Sequence, residues 1–289
     1  MYKKNKIGIV ILNYKDSDTV INLCQLIQGY TTIDKIVIVD NRSPDDSYKR
    51  LKYLESEKID VLITDKNGGY SYGNNYGAFY LIDKYDIDIL FIANPDVEFK
   101  EELVISISEI LDRGNIQAAS GMMLLPDGRE GTLIKHPKNY IEDLLSCTIF
   151  LKKFFLKKVE LVSLGQGIIS VDILPGSFFG IDTKVFREIG GFDDGVFLYS
   201  EEEILASKFC KYGYKYAIDT SVTYVHMEAV SITKSISYIK KISQIYKSQL
   251  YYYKNYTDIG VCKLYLLKIF MIYGLFVRKI FYPLRNLLK

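Results

Sequence analysis

The stretch IGIVILNYKDSDTVINLCQLIQGYTTIDKIVIVDN, residues 7–41, decides the fold. Its opening run IGIVILNY (7–14) and closing run KIVIVDN (35–41) are short, rich in Ile and Val, and end abruptly in polar residues. Neither has a helical period, and both fit strands buried on two faces. Between them TVINLCQLIQGY (19–30) reads as an amphipathic helix stopped at Gly29. Strand, helix and strand at this spacing form a βαβ unit and predict a parallel sheet.

A third run of the same kind, DILFIANPD (88–96), and a weaker strand, VLIT (61–64), extend that sheet. Polar residues gathered at the C-terminal ends of such strands mark the usual ligand crevice of an open α/β sheet. A helix is expected from about 101 to 111, and residues 120–140 read as irregular around a PDGRE turn. Residues 141–163, which include LKKFFLKK, read as a helix or a loop. VDILPGSFFGIDTKVFREIGGFDD (171–194) reads as a strand and a short helix, and SEEEILASKFCKYGY (200–214) as a helix stopped by Gly213. YAIDTSVTYVHM (216–227) fits a strand pair or one bent strand, and residues 231–256 and 260–282 look helical.

The 289 residues are 48% hydrophobic and 25% charged, which excludes disorder, collagen-like repeats and coiled coil as the main architecture. Four cysteines lie far apart with no CxxC pair, against a disulfide scaffold or structural zinc. The apolar run after MYKKNK has six residues, too few for a signal peptide. The apolar stretch at 269–277 is nine long, whereas a span needs about 20, so no transmembrane helix is expected. Charge is unevenly placed: residues after His226 carry +9, the first 226 carry −7. A basic tail on an acidic body suggests an anionic partner for the tail.

Several residues have the chemistry of a site. Asp40 closes the second strand, where a carboxylate can accept from a base N–H or a ribose hydroxyl, or simply cap a turn. The glycine cluster KNGGYSYGNNYGAF (66–79) matches neither the Walker loop nor GxGxxG. It reads as a tight turn before a closely packed helix, or as backbone approaching a ligand beside Asn67, Gly69, Asn74 and Asn75. In NPD (94–96) a strand-end carboxylate can hold Mg2+ or Mn2+ on two phosphates, or make a Pro-Asp turn. In SEEE (200–203), Ser200 and Glu203 fit a capping box, while one carboxylate could serve as a general base. His226 becomes a metal ligand only if Asp96 is close. His136 sits in a polar turn and is given no role.

The order of these pieces is more specific than any one of them. ILNY, VDN with a Ser two residues on, NGGYSYGNNYGA, NPD, PGSFFGIDTKVFREIGGFDDGVFLYSEEEIL, then GYK and VHM resemble a family 2 glycosyltransferase over roughly residues 6–256. The likeness is greatest to bacterial rhamnosyltransferase-like members that build capsule or O-antigen. It implies the GT-A fold, a mixed central α/β sheet flanked by helices, with a C-terminal helical extension. It also implies an inverting transfer from a nucleotide-diphospho-sugar, UDP- or dTDP-linked and rhamnose as one option, to a hydroxyl of a lipid-linked or growing surface polysaccharide. Under the resemblance, Asn13, Tyr14 and Asp40 hold the nucleoside. Asn67, Gly69, Asn75, Asn94, Asp96, Gly176 and Ser177 line the donor, and Asp96 and His226 bind a divalent cation, Mn2+ or Mg2+. Glu202 aligns with the catalytic base and Glu201 with its neighbour. Asn94 replaces an acid that many relatives have, and Ile204 replaces a later Asp.

The boundaries expected are a transferase domain over 1–230 and a basic amphipathic helical region over 231–289. On a helical wheel Lys263, Lys268, Arg278 and Lys279 edge a wide apolar arc, and Pro283 should end the helix. Such a helix fits a membrane interface, and a peripheral location on the cytoplasmic face of a bacterial membrane would place the enzyme beside a lipid-linked acceptor. The alternative is packing on the domain or on a second subunit, as in a homodimer. Two other functions compete: a sugar nucleotidyltransferase, which needs a basic glycine-rich loop that ILNYKDSDT lacks, and a non-catalytic membrane binder. Nucleic acid is disfavoured by the acidic body.

Overall fold

The computed structural model describes residues 5–131, 139–148, 162–227 and 238–287, with side chains to 281. Among these, strands β1 (Ile7–Asn13), β2 (Lys35–Asp40), β3 (Ile59–Ile63) and β4 (Ile89–Ala93) run parallel in the order β3-β2-β1-β4. β1 lies between two parallel neighbours, and helices cover both of its faces. Ile9 and Ile11 face one layer, with α1 (Ser17–Ile27) and α4 (Glu101–Asp112); Val10 faces the other, with α3 (Tyr70–Tyr85). Helix α1 buries Val20, Leu23, Cys24 and Ile27, one stripe at helical spacing. Each fully buried Ile or Leu contributes about 1.5–3 kcal/mol, so this stripe fixes α1 on the sheet.

Beyond β4 the sheet becomes mixed. It continues through β9 (Phe178–Asp182), β6 (Ala118–Leu124), β10 (Tyr216–His226), β8 (Ile168–Val171) and β7 (Val162–Gly165), while β5 (Val97–Phe99) pairs with the far end of β10. Strand β9 is antiparallel to both β4 and β6, and β10 is parallel to β6. Here β6 departs from the sequence reading, and β10 takes one of the two forms that reading allowed. β6 falls in the stretch read as irregular; its AASGMML composition is weak in strand formers, but its position between β9 and β10 buries its first five residues. β10 is one strand whose register slips between Asp219 and Thr223, the bent-strand option.

The shorter helices α2 (Ser47–Leu51), α5 (Tyr140–Ser146) and α6 (Thr183–Glu188) complete the layers with α7 (Glu201–Tyr212). The basic region forms two helices, α8 (Tyr238–Tyr256) and α9 (Val261–Leu287). They share a core with the body: Tyr246, Tyr252, Tyr253, Leu267 and Met271 pack with Cys147, Val196 and Ile204. Helix α9 continues past Pro283, contrary to expectation. Arg278 is also not part of an outer basic stripe. It turns inward and donates to the carbonyls of Ser146, Cys147 and Gly274. No described helix is long and apolar enough to cross a membrane. His136, the stretch LKKFFLKK and residues 231–237 lie outside the described residues.

Candidate active site

The site is built where the parallel strands end. Asn13 and Asp40, the last residues of β1 and β2, are cross-strand partners and are fully buried. Asn13 Nδ2 donates to Asp40 Oδ2 at 2.7 Å, and Ser43 N donates to Asp40 Oδ1 at 2.8 Å. Ser43 Oγ also accepts from the backbone N–H of Lys15. Lys15 and Arg42 both take left-handed backbone, with φ of 61° and 58°, a conformation non-glycine residues hold only where surroundings impose it. Tyr14, 38% exposed, stands at the rim.

The next residue, Asn41, ties this corner to the glycine cluster. Its Nδ2 donates to Gly69 O at 2.9 Å, and its Oδ1 accepts from Gly68 N. Gly69 has φ +89°, and a Cβ there would lie 1.9 Å from Phe197 O. The turn therefore requires glycine on both conformational and steric grounds. Tyr70 N donates to Phe197 O at 3.0 Å, clamping the turn against the loop that leads into α7. Asn67 accepts from Gly69 N and shapes the turn locally. Asn75 reaches across to the segment ahead of α7. Its amide donates to Phe192 O and accepts from Phe192 N, both at 2.9 Å, so it braces backbone.

On the other side, β4 ends at NPD. Asn94 N donates to Ser177 O at 2.8 Å, which locks this loop to the segment before β9. Asp96 is buried, and His226 Nε2 lies 3.4 Å from its Oδ1. The two meet because β5 pairs antiparallel with the end of β10, putting His226 opposite Val97. Met227 N also donates to Asp96 O. Ser177 is buried, its hydroxyl 2.9 Å from that of Tyr224.

Gly176 and α7 close the circuit. The Gly176 N–H donates to Glu202 Oε1, and Gly176 O accepts from Tyr70 Oη at 2.6 Å. Hydrogen bonds thus run from Glu202 through the Gly176–Ser177 segment to Asn94, beside Asp96 and His226. A second path runs from Gly176 through Tyr70 to Gly69, Asn41 and Asp40. The neighbouring Glu201 is held differently. Among the described residues its Oε2 is buried with no hydrogen-bond partner, and burial, reinforced by the Glu202 and Glu203 charges, pushes its pKa up to about 8.

The capping box expected of Ser200 and Glu203 does not form. Ser200 has φ +66°, makes no side-chain cap bond, and follows Tyr199 at φ +71°. Two consecutive left-handed non-glycine residues just ahead of Glu201 and Glu202 are strained backbone held by their surroundings. The holding groups come from α8. Tyr251 Oη donates to Asp193 at 3.1 Å, Tyr256 Oη donates to the same carboxylate, and Ser248 Oγ donates to Leu198 O at 2.7 Å. Sequence reasoning missed Asn41, Tyr70, Asp193 and these tyrosines. Asn41 stands in the VDN motif, and both tyrosines lie in the YYYKNY run (251–256) of α8.

Among the described residues no three His, Cys, Asp or Glu side chains converge as a metal cage. One carboxylate and one imidazole nevertheless suit a cation that takes its remaining ligands from a diphosphate.

No family model matches the chain. Over 196 residues it is 28% identical to the low-salt glycan biosynthesis hexosyltransferase Agl10 of Haloferax volcanii, covering 68% of this chain and 59% of that protein. The chain thus spans less than two thirds of that curated relative. Among solved structures it resembles a mannosyltransferase of Pyrobaculum calidifontis in complex with GDP-Man and Mn2+, at TM-score 0.60 and 12% identity, over 95% of this chain and 73% of that one. It also resembles GalNAc-T7 with UDP, GalNAc and Mn2+, at 0.60 and 13% identity, over 93% and 55%. TarS of S. aureus follows at 0.54 and 12%, over 92% and 43%. The fold is the GT-A glycosyltransferase fold, in agreement with the resemblance drawn from the motifs.

Proposed function

We propose that this chain transfers a sugar from a nucleotide-diphospho-sugar to a hydroxyl of a glycan acceptor, with inversion at the anomeric carbon. The observation that carries the reading is the hydrogen-bonded circuit itself. It joins a buried Asn13–Asp40 pair at one strand end, the Asp96–His226 pair at another, and Glu202 on the segment between them. The likeness to a hexosyltransferase and to GT-A enzymes supports it.

In this reading Asp40 accepts from the base or ribose, with Asn13 fixing its orientation, and Tyr14 lies at the nucleoside rim. Asp96 and His226 would hold a divalent cation, which when bound neutralises charge on the leaving diphosphate. Glu202 accepts the proton of the attacking hydroxyl, and its anchorage to Gly176 N sets the direction of the receiving oxygen. Glu201, neutral near pH 7, leaves Glu202 without a like charge at the adjacent position. The acceptor in this reading is a lipid-linked or growing surface polysaccharide, the class the motif resemblance implies.

The test is a donor screen with UDP-, dTDP- and GDP-sugars and a lipid-extracted glycan acceptor, the product linkage being read by NMR. A product of inverted anomeric configuration is expected. Retention of configuration would overturn the assignment of a single carboxylate base. Transfer of a nucleotidyl group instead of a sugar would overturn the reaction class.

A further inference from the structure

Among the described residues, helix α9 has one face covered and one face bare. Its inner side is fixed by Leu267 and Met271, which are buried against Tyr246, Tyr252 and Tyr253, and by the inward Arg278. At about 100° per residue, these positions share one side of the helix. The opposite side presents Tyr265, Ile269, Ile272, Tyr273, Phe276 and Ile280, each 47–64% exposed. From Tyr265 to Ile280 this stripe runs about 22 Å at 1.5 Å per residue. A run of large apolar side chains on one exposed face marks an interaction surface.

The charges decide what covers it. Lys268 and Lys279 are exposed at neighbouring angles along one edge of the stripe. Residues 261–287 contain no Asp or Glu. A second copy docking through a two-fold axis would bring this face against itself, lysines included, with no acid on the helix to answer them. A protein partner is also disfavoured, since lysine is depleted in protein interfaces. Anionic headgroups meet the lysines, whose stems run along the apolar surface, and tyrosines suit the same depth. No described helix can cross a bilayer, so the geometry is that of a helix lying in the interface plane.

We infer that the outer face of α9 docks on an anionic lipid bilayer. Arg278 takes no part, because it is spent on the body of the protein. α8, the packing partner of α9, holds the 193–200 loop ahead of Glu202, so the docked helix and that loop belong to one packed unit. The lipid contact does not depend on the proposed chemistry, and the two fail separately.

The experiment is co-sedimentation of the full chain with phosphatidylcholine vesicles with and without phosphatidylglycerol. The chain should bind the anionic vesicles. Ile269→Ser with Phe276→Ser should weaken that binding at least about tenfold. Lys268→Glu with Lys279→Glu should lower the preference for anionic over neutral vesicles by about tenfold. All four positions are exposed, and unchanged thermal midpoints and nucleotide titrations without vesicles would show that the variants fold. Absence of binding by the folded wild type, or binding that the double serine variant keeps, would overturn the inference. So would a dimer in solution that Phe276→Ser dissociates, with no vesicle binding, since the face would then belong to a second copy.

Discussion

The backbone N–H of Gly176 donates to the carboxylate of Glu202, 26 positions further along the chain. The contact joins the first turn of α7 to the segment entering β9, and a Cβ at 176 would lie 2.9 Å from Glu202 Oε1. It is the join at which Glu202 and the Asn94 loop beside Asp96 and His226 acquire fixed relative positions.

Glu202→Gln keeps an acceptor for Gly176 N but cannot take a proton. Sugar transfer should fall by about two to four orders of magnitude, while nucleotide affinity measured by calorimetry stays at the wild-type level. Transfer at the wild-type rate would remove Glu202 from the mechanism.

Gly69→Ala should be far more costly than the same change at Gly114. Both have positive φ, but a Cβ at 69 would strike Phe197 O, whereas one at 114 meets nothing within 4 Å. Gly114→Ala should cost about 1–2 kcal/mol from backbone conformation alone. Gly69→Ala should exceed that by about 2 kcal/mol or displace the loop ahead of α7. Urea unfolding of the two variants measures the difference, and equal costs would mean that the loop is not clamped on the glycine turn.

Glu201 makes stability fall as pH rises. Its unfolded value is the ordinary 4.5 and its folded value is raised to about 8 by burial. Between those values the folded chain holds a proton that the unfolded chain has released. This contribution to stability is present below pH 4.5 and lost as pH rises through 8. The slope from this one group approaches ~1.4 kcal/mol per pH unit within the window. Glu201→Gln should remove that slope, read as denaturant midpoints at several pH values. Identical pH profiles for variant and wild type would show an ordinary, solvated Glu201.

Most of the sheet's first half was legible because its strands are buried on both faces and written almost wholly in Ile and Val. β6 was not, because AASGMML owes its strand form to β9 and β10 on either side, a tertiary cause that composition does not carry. Asp40, Asp96 and His226 could be singled out from strand ends, yet the 3.4 Å approach of the last two depends on β5 pairing with β10. The capping-box pattern at Ser200 misled for a related reason. The loop before α7 is tied to α8 through Asp193, Tyr251 and Tyr256, and Ser200 stands in it with left-handed backbone, outside cap geometry. Asn75 braces a backbone segment 117 positions away, a long-range contact that no local pattern carries.

Tyr251→Phe with Tyr256→Phe tests that constraint. Both hydroxyls donate to Asp193, and their removal leaves a partly buried carboxylate with fewer partners, a cost of about 1–3 kcal/mol. If the loop positions Glu202, turnover should fall while the affinity for the donor nucleotide is kept. Loss of stability with unchanged turnover would confine the tyrosines to a structural role.

The central claim is that Asp40 and Asp96 hold the two ends of one nucleotide diphosphate. Calorimetric titration of the purified chain with UDP, dTDP and GDP, with and without Mn2+, in wild type and Asp96→Ala, tests it most directly. One nucleotide should bind, more tightly with Mn2+, and Asp96→Ala should abolish the metal effect while leaving weak binding through the Asp40 corner. Binding that is equally tight without the metal, or a metal effect that survives Asp96→Ala, would contradict the assignment of Asp96. Failure of all three nucleotides to bind a well-folded chain would contradict the donor site as a whole.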